Sequence, residues 1–181
     1  MKFYKNKKIL ITGATGGIGK AIAFLFAKNN AELFLTGRNK KKLEKLKSQI
    51  LRLYKVKISI YVFDISNYDQ IKNAFKNIFV KTKNIDVLIN NAGILKDNFI
   101  GMISNRDIND IINTNLIGPI NFTQLVSKIM AKKNSSIINI SSFVGKSGNS
   151  GQALYSSSKS GLLGFTLSAA KEFASKGIRV N

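Results

Sequence analysis

Short apolar runs alternate along this chain with longer segments in which apolar residues recur every three or four positions. The runs have the length and composition of buried strands, and the longer segments have the spacing of helices with one buried face. Strands that alternate with helices form right-handed crossovers and a parallel sheet that helices cover on both faces. The alternation therefore predicts an α/β fold with a doubly wound parallel sheet. The six runs are KILITG (8–13), AELFLTG (31–37), VKISIYVFD (56–64), IDVLINNAG (85–93), SSIINISS (135–142) and the shorter GIRVN (177–181).

The length and the residue inventory limit the architecture and the chemistry. We expect one domain over residues 1–181, because the chain is long enough to bury a core and has no linker, repeat or low-complexity stretch. It contains no cysteine and no histidine, which excludes disulfides, thiolate or zinc sites and a Ser-His-Asp triad. The first apolar run breaks at Gly13 and is too short for a signal peptide or a membrane span. These features predict a soluble cytoplasmic protein without a metal.

The formal charge of +20 raises the question of an anionic partner. Only four of the 29 basic residues are Arg, the lysines are scattered through every polar segment, and no aromatic and basic stripe suggests stacked bases. Abundant Lys, Asn and Ile are what an AT-biased coding sequence produces. The composition therefore favours a generally basic, solvated surface over nucleic-acid binding, with attraction of an acidic partner as the alternative.

A glycine-rich turn, TGATGGIG, joins the first run to the first helical segment. In a doubly wound sheet, ligands bind beyond the carboxyl ends of the strands, where the strand order reverses. Glycines at 13, 17 and 19 permit a tight turn, a close approach to a pyrophosphate and close helix packing, and the helix N-terminus offers unpaired N–H groups to the anion. A plain glycine-rich turn is the alternative. The candidate cofactor contacts here are Gly13, Thr15, Gly16, Gly17, Ile18 and Gly19.

The ends of the next strands supply further candidates. Arg38 stands where NAD-binding sites carry an acid for the ribose 2′-hydroxyl, and a guanidinium pairs with a 2′-phosphate. We therefore predict NADPH rather than NADH, unless Arg38 is only a solvated base. Asp64 is placed to accept from the adenine amino group while Ile65 packs on the ring, although Asp64 could instead cap the next helix. In NNAG (90–93), small residues let a flat cofactor approach the backbone, which makes Asn90, Ala92 and Gly93 candidates.

The stretch YSSSK places a phenol and an amine four residues apart, at Tyr155 and Lys159. If residues 153–176 are helical, the two side chains lie one turn apart on one face. A phenol is a poor acid at neutral pH, but a neighbouring ammonium stabilises the phenolate, so the pair can act as a proton donor. Taken alone, the same spacing is usually structural.

Two further residues give the pair a context. Ser142 ends the fifth strand, beside the start of that helix, where its hydroxyl could hold a substrate carbonyl oxygen; strand-end capping is the alternative, and Ser141 is the other candidate serine. Pro119 cannot donate to the carbonyl four residues back, which belongs to Asn115. That carbonyl is then open to water, or the proline only kinks the helix.

TGATGGIG, NNAG, Asn115, Ser142 and YSSSK occur in the order and spacing of the short-chain dehydrogenase/reductase family, which the chain resembles over nearly its whole length. The segments ILKDNFIGM, IINISSFVGKSGNSGQALYSSSKSGLLGF and EFASKGIRVN are most similar to 3-oxoacyl-[acyl-carrier-protein] reductases of fatty-acid synthesis. The resemblance implies a Rossmann-type fold and NADPH-dependent reduction of a ketone. In that reaction the nicotinamide would supply a hydride and Tyr155 would donate a proton.

The resemblance also implies roles for the neighbouring residues. Ser142 would hold the substrate oxygen, Lys159 would assist Tyr155 and hold the nicotinamide ribose, and the Asn115 carbonyl would anchor a proton-relaying water. An acidic acyl carrier protein is an implied partner, with Lys133 and Lys176 as candidate contacts, and homo-oligomers are expected for full-length members.

Relatives continue after RVN with a loop, a further helix and a final strand. The chain is therefore expected to lack the last strand and helix of the family fold and to have low or no turnover. The alternatives are a dehydrogenase of alcohols, sugars or steroids, and a non-catalytic nucleotide-binding or nucleic-acid-binding protein.

Overall fold

The computed structural model describes residues 4–130 and 134–181 and shows six parallel strands in the order β3-β2-β1-β4-β5-β6. Every apolar run named above contributes one strand, and the predicted doubly wound sheet is confirmed. The strands are β1 (Lys8–Ile11), β2 (Glu32–Gly37), β3 (Ile58–Val62), β4 (Val87–Asn90), β5 (Ser135–Asn139) and β6 (Ile178–Val180).

Helices follow the strands in the predicted alternation. They are α1 (Gly17–Lys28), α2 (Lys40–Leu53), α3 (Tyr68–Lys81), α4 (Asn105–Ile112), α5 (Gly118–Val126), α6 (Val144–Ser147) and α7 (Ala153–Ala174). A π-helical turn, Asn113–Ile117, joins α4 to α5, and short 3₁₀ turns lie at Ile100–Met102 and Ser127–Ile129. In the described residues, no helix has the length and apolar character needed to cross a membrane.

The two faces of the sheet carry separate apolar cores because successive strand side chains point to opposite sides. Leu10 and Phe34 pack with residues of α3, α5 and α7 on one face. Ile9 and Leu33, their chain neighbours, pack with residues of α1 and α2 on the other face. Since both faces of β1 and β2 are buried, their central residues, Ile9–Ile11 and Leu33–Leu35, form apolar runs without interruption, as the sequence pattern indicated.

The strand order reverses between β1 and β4, which lie side by side at the centre of the sheet with Ile9 opposite Val87. β2 and β3 extend from β1 in one direction, and β5 and β6 extend from β4 in the other. The loops at the carboxyl ends of β1 and β4 therefore diverge and leave a crevice between them, as Rossmann-type sheets do.

Side chains define the starts of three helices. Asn39 caps α2, Asn67 caps α3, and Ser104 forms a capping box with Asp107 at the start of α4. The cap of α3 is thus Asn67, which removes the alternative that Asp64 fills this role. Helix α7 ends at Ala174, two residues before the predicted end at Lys176. Gly177 follows with a φ of +68°.

Candidate active site

The glycine turn between β1 and α1 is held so closely that larger residues do not fit. Gly13 has a φ of +61°, and a Cβ atom there would lie 2.7 Å from the Ala92 Cα atom. A Cβ atom on Gly19 would lie 2.4 Å from the Gly13 carbonyl oxygen. A Cβ atom on Gly17 would meet nothing within 4 Å. Gly13 and Gly19 therefore serve packing, whereas Gly17 keeps open the space in front of the helix.

The N-terminus of α1 is not capped by a side chain. Its N-cap residue, Gly16, has no side chain that could accept from the first N–H groups, and the first turn has no acidic residue. The unpaired N–H groups and the positive end of the helix dipole are thus available to an anion. This geometry fits the pyrophosphate of a dinucleotide, the group for which the sequence predicted the turn.

A cavity of about 480 Å³ lies in the crevice at the carboxyl ends of β1 to β4. This volume is within the usual range for small-molecule sites. The predicted cofactor residues that line it are Gly13, Thr15, Gly16, Gly17, Ile18, Gly19, Arg38, Asp64, Ile65, Ala92 and Gly93. The structure therefore brings eleven sequence-predicted contacts to one cavity, while Asn90, Tyr155 and Lys159 are not among its lining residues.

Arg38 and Asp64 face each other at the edge of this cavity. The Arg38 Nη1 atom lies 3.8 Å from the Asp64 Oδ2 atom, and the Arg38 side chain is 67% exposed. Such an exposed, long ion pair holds the guanidinium only weakly. The Asp64 Oδ1 atom accepts hydrogen bonds from the Ser66 N–H (2.9 Å) and hydroxyl (2.7 Å). Arg38 thus remains accessible to a phosphate, and Asp64 is oriented by the turn that follows it.

The Asn90 side chain points away from the cavity, so a cofactor contact at this residue stays a prediction that could involve only its backbone. Its buried amide donates to the Thr123 hydroxyl (2.9 Å) and to the Asn139 Oδ1 atom (2.8 Å). The Asn139 Nδ2 atom in turn donates to the Thr166 hydroxyl at 2.8 Å. The reason is strand alternation, which points Asn90 towards α5 and α7. It lies in a polar chain that ties α5, β4, β5 and α7 together.

Asn91 and Thr12 fasten the glycine turn to the end of β4, and neither was identified from the sequence. The Asn91 Nδ2 atom donates to the carbonyl oxygens of Thr12 and Gly13, each at 3.0 Å. The Thr12 hydroxyl oxygen accepts from the N–H groups of Asn91 and Ala92, each at 3.0 Å. The second Asn of NNAG was visible in the sequence, but its role was not, because its hydrogen-bond partners lie 78 or more positions away.

Tyr155 and Lys159 lie one turn apart near the start of α7, as predicted. The Lys159 Nζ atom lies 5.7 Å from the centre of the Tyr155 ring. Lys159 is only 4% exposed, and its Nζ atom donates to the Ile140 carbonyl oxygen at 2.7 Å. Burial lowers the pKa of Lys159 below its ordinary value of 10.5, because desolvation disfavours the ammonium.

Lys159 also lies beside the end of the cavity that Gly93 lines. A Cβ atom on Gly93 would be 3.6 Å from the Lys159 Nζ atom and 3.3 Å from the Asn115 Oδ1 atom. Gly93 itself lines the cavity. Because Gly93 has no side chain, the cavity lies directly beside the buried amine of Lys159.

The two candidate serines at the end of β5 differ in their hydrogen bonds. The Ser141 hydroxyl donates to the Lys159 carbonyl oxygen at 3.2 Å, which fastens this segment to α7. The Ser142 hydroxyl is half-buried and has no hydrogen-bond partner among residues 4–130 and 134–181. A Cβ atom on Gly145, three residues later, would lie 3.0 Å from Lys159. Ser142 is therefore held near the first turns of α7 with its hydroxyl available.

Asn115 lies in the π-helical turn and is completely buried. Its Oδ1 atom accepts from the Ile94 N–H and its Nδ2 atom donates to the Ile94 carbonyl oxygen, both at 2.8 Å. Gly118, the residue before Pro119, donates its N–H to the Asn113 carbonyl oxygen, so the wider turn absorbs the interruption that the proline imposes. The openness of the Asn115 carbonyl to water stays a prediction.

Of the two lysines considered for an acidic carrier, Lys176 is exposed just after α7, with its Nζ atom 5.3 Å from the centre of the Phe173 ring. Lys133 lies outside the described residues.

The arrangement suits proton transfer next to a bound dinucleotide. A cavity with an uncapped helix N-terminus ends at Gly93, next to a buried amine. The amine lies one helical turn from a phenol, and an available hydroxyl, Ser142, is held in the adjoining segment. These groups can hold an oxygen and deliver a proton to it.

Comparison with known proteins gives consistent matches. The short chain dehydrogenase family model matches residues 7–181. A 3-oxoacyl-[acyl-carrier-protein] reductase FabG of Thermotoga maritima is 42% identical over 98% of this chain and 72% of its own length. The enzyme of the same name from Rickettsia typhi is 39% identical over 98% and 71%. Among solved structures, a metagenomic short-chain oxidoreductase in complex with NADP has a TM-score of 0.93 at 30% identity, covering 98% of this chain and 81% of that one.

Proposed function

The chain belongs to the short-chain dehydrogenase family and is an NAD(P)-dependent oxidoreductase, and on this premise we propose that it uses NADPH to reduce a ketone to a secondary alcohol. The observation that carries the proposal is the meeting of the cavity and the Tyr155–Lys159 pair at Gly93. A dinucleotide site that ended far from a proton donor could bind a cofactor but could not complete the reduction.

The chain's own residues supply binding and proton transfer in this proposal. The N-terminus of α1 binds the pyrophosphate, and Arg38 binds the 2′-phosphate that distinguishes NADPH from NADH. When bound, the reduced nicotinamide supplies a hydride to the carbonyl carbon. Tyr155 donates a proton to the developing alkoxide, and Ser142 donates a hydrogen bond to the same oxygen. Lys159, whose Nζ atom uses one donor on Ile140, directs the others towards the ribose and the phenol.

We propose a 3-oxoacyl thioester as the substrate, carried by an acidic acyl carrier protein. The support is the similarity to enzymes named 3-oxoacyl-[acyl-carrier-protein] reductase and the charge of +20. Exposed Lys176 is the candidate contact within the described residues. Lys176→Glu is expected to raise KM for the carrier-bound substrate and to leave KM for a free thioester unchanged. An equal change for both substrates would contradict carrier recognition at this site.

Tyr155→Phe tests the reaction itself. The variant keeps the ring and its packing but lacks the proton donor, so reduction should fall by about two or more orders of magnitude while the NADPH Kd changes little. Single-turnover oxidation of NADPH and equilibrium binding measure the two effects. Loss of both would assign Tyr155 a structural role, and unchanged reduction would refute the proposed proton transfer.

A further inference from the structure

The three serines between Tyr155 and Lys159 lie in different surroundings. Ser157 is exposed and donates its hydroxyl to the Ala153 carbonyl oxygen, one helical turn back, at 2.8 Å. Ser158 is completely buried and makes contacts outside its own helix. The two neighbours therefore form a natural pair for comparison, one facing solvent and one facing the site.

Ser158 bridges two parts of the site through its hydroxyl. The hydroxyl donates to the Tyr155 carbonyl oxygen at 2.7 Å and accepts from the Asn115 Nδ2 atom at 3.1 Å. A serine has one hydroxyl proton, so the oxygen that faces Asn115 can act there only as an acceptor. The second Nδ2 proton of Asn115 then finds its partner in Ser158.

The Asn115 amide is fully used in this arrangement. Its Oδ1 atom and its other Nδ2 proton pair with the N–H and the carbonyl oxygen of Ile94, each at 2.8 Å. Because Asn115 is completely buried, removal of the Ser158 hydroxyl would leave an N–H group that water does not reach. The amide could recover a partner only by moving, and Ile94 would lose its fixed position with it.

We infer that Ser158 is a positioning residue, which sets Asn115 and thereby holds the Gly93–Ile94 segment of the cavity against Lys159. The inference rests on the proposed reduction for its effect on turnover, but the contacts themselves do not depend on it. Ser158 does not touch the reacting atoms. It joins the segment beside the nicotinamide end of the cavity to the helix that carries the proton donor.

Ser158→Ala and Ser158→Cys test the inference, with Ser157→Ala as the matched control. Hydrogen exchange of the Ile94 amide, which donates to Asn115, reports on the coupling without any need for turnover. We expect exchange at Ile94 to become about tenfold faster in both Ser158 variants, as for a buried bond that has lost its support. In the same variants, kcat should fall by about tenfold, with the NADPH Kd within about twofold of the parent value. Ser157→Ala should change neither quantity.

The outcomes separate this inference from the proposed function. If the parent chain does not reduce ketones but Ile94 responds to Ser158→Cys, the proposed function fails and the positioning role stands. Unchanged exchange at Ile94 overturns the positioning role, whatever happens to kcat. Faster exchange over the whole chain, in the nearly isosteric Ser158→Cys as well as in Ser158→Ala, also overturns it, because it would show only a general loss of stability.

Discussion

Substitution of Gly19 by alanine should destabilise the fold, because the new Cβ atom would overlap the glycine turn and Asn91. The new Cβ atom would lie 2.4 Å from the Gly13 carbonyl oxygen and 2.7 Å from the Asn91 Nδ2 atom. The first contact is to backbone, which cannot rotate away. Gly13 has little room to move, because it packs so closely on Ala92 that a Cβ atom built on it would lie 2.7 Å from the Ala92 Cα atom. The strain must therefore spread into the turn or into the end of β4.

The size of the effect follows from three contributions. Overpacking against backbone costs about 3 kcal/mol, and displacement of the Asn91 amide costs about 1 kcal/mol in lost hydrogen bonding. The better helix propensity of alanine returns about 1 kcal/mol. The free energy of unfolding should therefore fall by about 3 kcal/mol. For a chain of this size, each kcal/mol lowers Tm by about 2–4 °C, so we expect a decrease of about 6–12 °C.

Gly17→Ala is the matched control, since a Cβ atom there meets nothing within 4 Å. Its Tm should stay within about 2 °C of the parent value, but the methyl group occupies the space in front of α1, so the NADPH Kd should rise about tenfold. Thermal unfolding followed by circular dichroism and a binding titration measure both variants. A parent-like Tm for Gly19→Ala would refute the packing argument, and equal losses of Tm would refute the division of roles between the two glycines.

Other expectations concern the cofactor, the core and pH. Arg38→Asp should shift the ratio of NADPH to NADH affinity towards NADH, because a carboxylate repels the 2′-phosphate. Unchanged selectivity in a binding titration would exclude this role of Arg38. Lys40→Asp is the control for the change of charge. Asn139→Ala removes hydrogen bonds to Asn90 and Thr166 and should lower the free energy of unfolding, measured in urea, by about 2 kcal/mol. A change below about 0.5 kcal/mol would show that this network of polar side chains does not stabilise the fold. The pKa of Lys159 is lower in the folded protein than in the unfolded chain. Between the folded-state pKa and 10.5, the unfolded chain therefore binds more protons, and the free energy of unfolding should rise with pH compared with that of Lys159→Met. A flat difference between the two proteins over this range would contradict the effect of burial.

The sequence indicated those parts of the structure that depend on local pattern. Each apolar run contains a strand because its short length and apolar composition are visible in its own residues. The positions of Gly13 and Gly17 were recognisable because a tight turn between strand and helix restricts residue type locally. Tyr155 and Lys159 were placed together by helical periodicity alone.

The remaining features depend on which distant residues become neighbours. Asn90 and Asn91 are identical in type and adjacent, yet strand alternation points one into the core and the other to the glycine turn. The role of Ser158 depends on Asn115, 43 positions away. The segment between β4 and α4 has no regular periodicity, so its bonds to the region before α7, such as Asn98 N–H to the Gly151 carbonyl oxygen, could not be foreseen.

The cavity is lined by residues 13–114, whereas Tyr155, Lys159 and Ser142 all come from the later part of the chain. In the proposed function, the phosphate-binding residues and the groups that handle the reacting oxygen therefore lie in separate stretches of sequence, which come together where Gly93 and Asn115 approach α7. Substitutions in the later stretch can therefore change the substrate while the earlier stretch, which lines the cavity, stays the same.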